Sequence, residues 1–414
     1  MKAIVIGGGI GGLTLARACL DRGIDVELYE KRSRNEMLSG RGGIFMQRNA
    51  LRVFKLLWDG QILERFGQQG GSILKGGFFN KSGQPLYINS PDFIQEDSLG
   101  LCLLRPELQK TLYDSLPAGT VTTECAFKRF EEQNEKQQDK EKQSSAIKVF
   151  FQDGTSTEGD ILIGADGLYS SVRAQLEGKA RLEAPVYSGM CCWRGYIDGT
   201  GLPLNDEFSW GEYWGQGSRF GFFDVGGNRF SFYGFDNAAP GSNDDAEGGA
   251  LNALKKRFSD YGSPVPEILE RMSEGAIYRD DIYDRPPLGK DWGQGRVTLI
   301  GDAAHPVLPN LGQGGCMAVE DAFELVKQLS GNLAAAGKET SVPVLLRQFE
   351  ASRSDRVARI HAISRQVGQL GQLEGRIGCF LRNWLYRLTP TKLADQQFKW
   401  LFDYAPSWAV ERVD

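Results

Sequence analysis

The stretch KAIVIGGGIGGLTLARACLDRGIDVELYE, residues 2–30, constrains this chain more than any other feature. A short apolar run leads into a glycine turn. Helical periodicity follows and closes at Gly23, and a second apolar run ends in an acid. Gly7, Gly9 and Gly12 have the G-x-G-x-x-G spacing. In that setting Gly7 permits the tight turn, Gly9 lets a pyrophosphate approach the backbone, and Gly12 lets helix and strand pack. The helix opening at Ile10 and Gly11 adds the partial positive charge of its N-terminus. Glu30, followed by Lys31, closes the second strand, where a carboxylate accepts hydrogen bonds from ribose hydroxyls. The unit predicts adenine-dinucleotide binding, with NAD(P) and FAD both open.

Two further apolar runs, DILIGADG at 160–167 and RVTLIGDA at 296–303, have the continuous hydrophobic character of buried parallel strands. Between them lie alternating aromatic segments, EFSWGEYWG at 207–215 and RFGFFDVGGNRFSFYGF at 219–235. These predict antiparallel strands joined by Gly-Gly-Asn turn chemistry. Strands of one sheet so far apart in sequence require a discontinuous domain. The reading is an α/β fold in which residues 1–75, 100–180 and 280–345 bind the dinucleotide. Residues 76–99 and 181–279 form a substrate domain on an antiparallel sheet, and 346–414 a C-terminal helical region. The polar segment 131–145 reads as a solvated hairpin tip or a disordered insertion.

Composition excludes several classes. A formal net charge of −5 leaves no electrostatic footprint for nucleic acid. No apolar run reaches the roughly 18 residues of a spanning helix. Met1 runs straight into the first strand with no leader, and the seven cysteines lack C-x-x-C spacing. Reduced thiols and a cytoplasmic location are therefore expected. His305 and His361 are the two histidines, so neither a His-rich metal site nor a Ser-His-Asp hydrolase is expected. His305 is expected to pack locally, and His361 to lie solvated in a charged helical run.

Three stretches in order, VIGGGIGGLTLA, ILIGADGLYSSVR and LIGDAAHPVLPNLGQGGCMAVEDA, resemble the class A flavin monooxygenases of the aromatic-hydroxylase type, over roughly residues 1–375. The resemblance implies a GR2-type, Rossmann-like FAD domain, with NADPH or NADH as reductant and O₂ as co-substrate. It implies that Gly7, Gly9, Gly12 and Glu30 hold the ADP half of FAD, and that Arg41 and Gly43 lie in a loop near the flavin. Arg105 and Gln109 would touch phosphates and ribityl chain, and Asp302 the ribityl chain. Asp166 and Gly167 would serve FAD contacts and nicotinamide handling; a structural alternative has Asp166 tie its turn to Arg173. Family members reduce FAD with NAD(P)H, capture O₂ as a flavin hydroperoxide and insert one oxygen into substrate. The protein then supplies position, dryness and electrostatics, and no acid or base need stand out.

The residue chemistry of the third stretch agrees. Asp302 can accept bonds from flexible ribityl hydroxyls. The loop Pro309, Asn310, Leu311, Gly312, Gln313, Gly314, Gly315 can approach a ring because its glycines carry no side chains. A helix from about Cys316 would point its positive end at the flavin's pyrimidine edge.

The substrate is expected between this loop and the aromatic sheet. Trp193, Arg194, Trp210, Tyr213, Trp214, Arg219, Phe222 and Tyr233 are the candidates, with alternation sending about half to the far face. Arg194, Arg219 and Tyr233 are the positioning candidates. Within the family, PNLGQGGCMAVEDAF and YSGMCCWRGY look closest to zeaxanthin-epoxidase-like and urate- or salicylate-hydroxylase-like members. That implies hydroxylation or epoxidation of an aromatic or polyene small molecule. Urate hydroxylases carry an Arg and a Tyr twelve positions apart on this sheet; here Arg219 stands but Ser231 takes the second place, which argues against urate. A flavin oxidase or reductase on the same fold and a non-catalytic ligand carrier are the alternatives. In 380–408, Phe380, Leu381, Trp384, Leu385 and Leu388 share one helical face flanked by Arg382 and Arg387. That face could pack on the domain, join a homodimer in place of a monomer, or lie on a membrane.

Overall fold

In the computed structural model, which describes residues 1–40, 42–89, 100–132, 147–202, 208–334 and 340–408, Lys2–Ile6 is the central strand of a five-stranded parallel sheet. Ile161–Gly164 and Asp25–Tyr29 flank it, with Val297–Leu299 and Val121–Thr122 at the edges. Ala3 pairs with both Ile161 and Val26. Ile161–Gly164 and Val297–Leu299 are buried throughout, as strands covered on both faces must be. The helix Ile10–Leu20 packs against the helix Gly314–Ala334, so the first and third motifs form one block. Phe127–Glu132 and Ile147–Phe151 pair antiparallel; most of the polar segment between them, 133–146, lies outside the described residues.

A second, seven-stranded sheet runs in the order Tyr278–Asp284, Val186–Asp198, Arg229–Asn237, Ser218–Asp224, Phe208–Trp214, Lys75–Asn80, Pro85–Ile88. Lys75–Asn80 lies parallel to Phe208–Trp214, and the other neighbours are antiparallel. The strand Tyr278–Asp284 continues past residue 279, and the helix Val342–Gly371 begins before residue 346.

Alternation gives this sheet two faces. Trp193, Tyr213, Phe220, Phe222 and Phe232 enter an apolar core with Leu254 and Phe258 of the helix Ala250–Phe258. The opposite face carries a line across four strands: Arg194 opposes Tyr233, Tyr233 opposes Gly221, and Gly221 opposes Glu212. Trp214, Arg219 and Phe235 form the next line on that face. This second face meets the dinucleotide half, where Gly43 N–H donates to Ser231 Oγ (2.6 Å) and Arg219 reaches Asn310.

The C-terminal helices are Val342–Gly371, Arg376–Leu388 and Thr391–Phe402. The tail returns to the dinucleotide half. Trp408 packs on Phe323 with ring centroids 4.3 Å apart, and Tyr404 donates to Glu324 (2.7 Å). Among the described residues no helix is long and apolar enough to cross a membrane.

Candidate active site

Each glycine of the first motif has its own geometric cause. Gly7 has φ +115°, and a Cβ there would lie 2.3 Å from Ala165 O; a Cβ on Gly12 would lie 2.0 Å from Gly7 O. Both are positions of close backbone approach. A Cβ on Gly9 would meet nothing within 4 Å, so the space beside it is open. Gly11, by contrast, faces Ala318, and Ile10 is buried as the helix opens. Glu30 is buried at the end of its strand, accepting from Gly8 N–H (2.7 Å), Arg32 N–H (3.0 Å) and Arg32 Nε (2.8 Å). Burial pushes its carboxyl up, but these donors outweigh that and hold it below the ordinary Glu range. Lys31 is exposed at the strand end.

A cleft of about 300 Å³ is lined by Arg32, which binds Glu30, and by Met37, Ser39, Arg105, Gln109 and Tyr278. Arg105 starts the helix Arg105–Asp114, and Gln109 is buried one turn on. Asp302 follows the strand Val297–Leu299 in a single turn, Gly301–Ala303, opened by Gly301 at φ +57°. Arg105, which lines the cleft, and Asp302 both keep exposed surface, yet are ringed by protein. Enclosure therefore lowers the Arg105 guanidinium and raises the Asp302 carboxyl, while each offsets the other's shift. Opposite charges near enough to shift one another suit a ligand with phosphates at one end and hydroxyls further along.

Asp166 accepts from Ser171 N–H (2.7 Å) and Val172 N–H (3.2 Å), and its buried Oδ1 has no partner among the described residues. Arg173 is not its partner, contrary to the structural alternative. Arg173 pairs with Glu177 (2.8 Å) and donates to Ala303 O and Ala304 O, bracing the Asp302 turn.

The loop after Asp302 is held from behind. Pro309–Leu311 forms one 3₁₀ turn, Gly312 takes φ +64°, and Gln47 Nε2 donates to Leu311 O (2.8 Å). The next helix starts at Gly314, two residues earlier than expected, and a Cβ on Gly315 would lie 2.9 Å from Met46 Cε. Beneath the loop lies a buried ionic network that residue patterning alone did not reveal. Asp321 accepts from Gly301 N–H (2.9 Å) and Arg353 Nε (2.7 Å), with His305 Nε2 at 2.5 Å. Glu320 accepts from Arg356 Nε (2.8 Å) and Asn49 Nδ2 (2.5 Å). Burial raises the Asp321 carboxyl, but the His305 and Arg353 charges overcome it and set it at about 2.

Other expectations divide clearly. Arg41 lies outside the described residues. Gly43 is not open to a ligand: its N–H is engaged by Ser231, and a Cβ would strike Phe223 at 2.3 Å. His361 is buried rather than solvated, with Nε2 3.2 Å from Asp284, which also binds Arg365 Nε (2.7 Å). Arg382 is buried rather than flanking an exposed face, donating to Gly371 O (3.1 Å) and Gly215 O (3.2 Å). Of the substrate candidates, Trp193, Tyr213 and Phe222 belong to the far core; Arg194, Trp210, Trp214, Arg219 and Tyr233 are on the face toward the loop.

That face is organised by Glu212, which the sequence reading did not single out. The nearly buried carboxylate accepts from Trp214 Nε1 (2.5 Å), Arg219 Nη1 (3.3 Å) and the Tyr233 hydroxyl. Arg219 also donates to Gln372 Oε1 (3.0 Å) and Asn310 Oδ1 (2.7 Å), and lies over Phe235. Arg194 is paired with Asp280 (2.5 Å) and lies over Tyr278.

The residues fit FAD: an open glycine turn at a helix N-terminus, a buried acid for ribose, an arginine lining the cleft and an acid close enough to feel its charge. The comparisons agree. The family model described as FAD binding domain matches residues 1–214 and 282–364. The aurachin C monooxygenase/isomerase of Stigmatella aurantiaca is 33% identical over 408 residues, covering 98% of this chain and 99% of its own. The chloroplastic zeaxanthin epoxidase of Nicotiana plumbaginifolia is 35% identical, covering 89% of this chain and 54% of its own. This chain thus spans about half the length of that relative. Klebsiella pneumoniae HpxO complexed with FAD and uric acid superposes with a TM-score of 0.83 at 26% identity, over 98% of this chain and 96% of that one. A salicylate hydroxylase substrate complex shares the fold, with a TM-score of 0.75 at 20% identity, over 98% and 95% of the two chains. The chain belongs to the FAD-binding-domain family and, within it, to the class A FAD-dependent monooxygenases.

Proposed function

We propose that this oxidoreductase hydroxylates or epoxidises an uncharged aromatic or polyene small molecule, using NADPH or NADH and O₂. The carrying observation is the saturation of Arg219. Its guanidinium is bound by Glu212, Gln372 and Asn310, so its charge is met inside the protein and not left for a substrate anion. Arg194 is likewise paired, and Arg382 is met by carbonyls at the C-terminal end of a helix. What remains toward the loop is aromatic: Trp210, Trp214, Phe78, Phe223 and Phe235. Likeness to the zeaxanthin epoxidases and to aurachin C monooxygenase/isomerase supports the reading.

FAD, when bound, supplies the redox chemistry. The chain's residues bind and orient. Gly7, Gly9 and Gly12 with Glu30 would take the ADP half, Arg105 and Gln109 the middle, and Asp302 the ribityl hydroxyls. Pro309, Leu311, Gly312, Gly314 and Gly315 would form the wall beside the ring, and the aromatic face would exclude water. We assign residues 1–75, 100–180 and 280–345 to cofactor binding, 76–99 and 181–279 to substrate, and 346–414 to the helical region. We place the enzyme in the cytoplasm as a monomer or homodimer, in peripheral contact with membrane through its C-terminal segment. Seven buried free cysteines support a reducing compartment.

Turnover in ¹⁸O₂ with either nicotinamide, against phenols, purines and carotenoids, tests the reading. One labelled oxygen retained in an uncharged product is expected. Peroxide release without labelled product would make the protein an oxidase. Failure of both nicotinamides to bleach the flavin with every compound would make it a carrier.

A further inference from the structure

We infer that the helix Arg376–Leu388 is a docking element for anionic lipid surfaces, which sets the substrate face against the bilayer. Ile377, Phe380, Leu381, Trp384, Leu385 and Leu388 are spaced three and four apart and so form one stripe. Each is between 49% and 77% exposed. A soluble surface rarely leaves so many large apolar groups contiguous without a partner. The helix is not misplaced core, because its other side is fully engaged. Tyr386 packs edge-on to Trp214 at 4.9 Å, Arg382 caps the carbonyls of Leu370 and Gly371, and Cys379 is buried. With 13 residues it is too short to span a bilayer, and an amphipathic helix of this kind lies in the interface plane.

Charge selects the occupant. Arg376 and Arg387 on this helix, and Lys392 and Lys399 on the helix that follows, are exposed, whereas of the acids in 374–403 Asp395 is buried and bound by the Tyr87 hydroxyl and Glu374 and Asp403 are exposed. Glu374, just before the helix, accepts from the neutral Asn237 Nδ2 (2.6 Å) and offsets one of these cations, leaving the balance of the segment positive. A basic rim on a chain of net charge −5 is a local reversal of sign. Pairing of this face with its own copy would bring like charges together, while an anionic leaflet neutralises them. The same helix walls the substrate face, since Tyr386 and Arg382 both lie on Trp214, whose indole donates to Glu212. An uncharged lipophilic substrate would then pass from lipid to the chamber beside a single helix. That purpose rests on the uncharged-substrate reading; the docking itself does not.

The test is co-sedimentation of the FAD-loaded enzyme with vesicles of phosphatidylcholine, with and without phosphatidylglycerol. Wild type is expected to pellet with the anionic vesicles and less with the neutral ones. Phe380→Ser/Leu385→Ser should bind about tenfold more weakly or worse. Arg376→Glu/Lys399→Glu should lose about fivefold for each charge changed, on anionic vesicles alone. Both variants alter exposed side chains, so flavin absorbance and reduction in vesicle-free buffer should match wild type. Wild type remaining in the supernatant at every composition overturns the inference, as does equal binding by the variants. A concentration-dependent dimer abolished by Phe380→Ser/Leu385→Ser, without vesicle binding, would assign the face to a second copy and also overturn it. Sedimentation needs no turnover, so its failure is separable from failure of the ¹⁸O₂ experiment.

Discussion

Replacing Glu212 by Gln tests whether this site selects against charge. The carboxylate lies 3.3 Å from Arg219 Nη1, with Arg219 1% exposed. At an effective dielectric near 20, that separation corresponds to about 5 kcal/mol of attraction. Breaking a buried pair by removing one charge costs about 3–5 kcal/mol. The lower end applies here, because the amide can still accept from Trp214 and Arg219 keeps Gln372 and Asn310. The variant is therefore expected to fold with stability reduced by about 3 kcal/mol, read by urea unfolding of the holoenzyme. It should also gain a ligand. An unpaired buried guanidinium offers a charged hydrogen bond worth roughly 1.5–3 kcal/mol. Benzoate should then bind roughly 10- to 100-fold more tightly than to wild type, read by perturbation of the flavin spectrum. If benzoate affinity stays within about twofold while the fold is intact, the internal neutralisation of Arg219 does not govern substrate charge.

Further outcomes follow from the cofactor cleft. Enclosure by protein raises the Asp302 carboxyl above the ordinary Asp range, so its charge weighs fully against folding above the raised value, and that penalty fades as pH falls to the ordinary Asp value. Asp302→Asn should raise the thermal midpoint of apoprotein at neutral pH and weaken FAD about tenfold or more, by fluorescence titration; unchanged FAD affinity would remove Asp302 from the site. Asp321 has the opposite sign. Its carboxyl falls from 3.8 to about 2 in the fold, so its contribution, about 2 kcal/mol, is complete above 3.8 and is lost as pH falls toward 2. Acid titration should therefore show a shallower stability loss across that window in Asp321→Asn. Gly12→Ala places a Cβ 2.0 Å from Gly7 O, so apoprotein should recover secondary structure yet fail to retain FAD on gel filtration. Gly221→Ala sets a Cβ 2.1 Å from the Tyr233 ring, which should displace that hydroxyl from Glu212 and raise KM more than it lowers kcat.

What the sequence determined by itself was the cofactor half. Gly7, Gly9, Gly12 and Glu30 lie within one contiguous strand–turn–helix–strand unit, where backbone conformation and short-range geometry leave little choice. The Asp302 turn and the glycines of the following loop are local in the same sense. Alternation also foretold that the aromatic candidates would divide between two faces, but not which face meets the cofactor. Tertiary structure decided that, through Gly43 on Ser231 and Asn310 on Arg219. It also decided each buried charge. Glu212 meets Tyr233 only because the register sets Gly221 between them, and the missing side chain lets the ring cross. His361 is buried on Asp284, 77 positions earlier, rather than solvated in its helix. Glu320 is bound by Asn49, in the first turn of the distant helix Arg48–Phe54, and Arg382 points inward although its neighbours on the helix face water. A charged residue's sequence neighbours fix its helical face, but its partner comes from another element brought near by packing, and the partner decides whether the charge is buried, neutralised or left for a ligand.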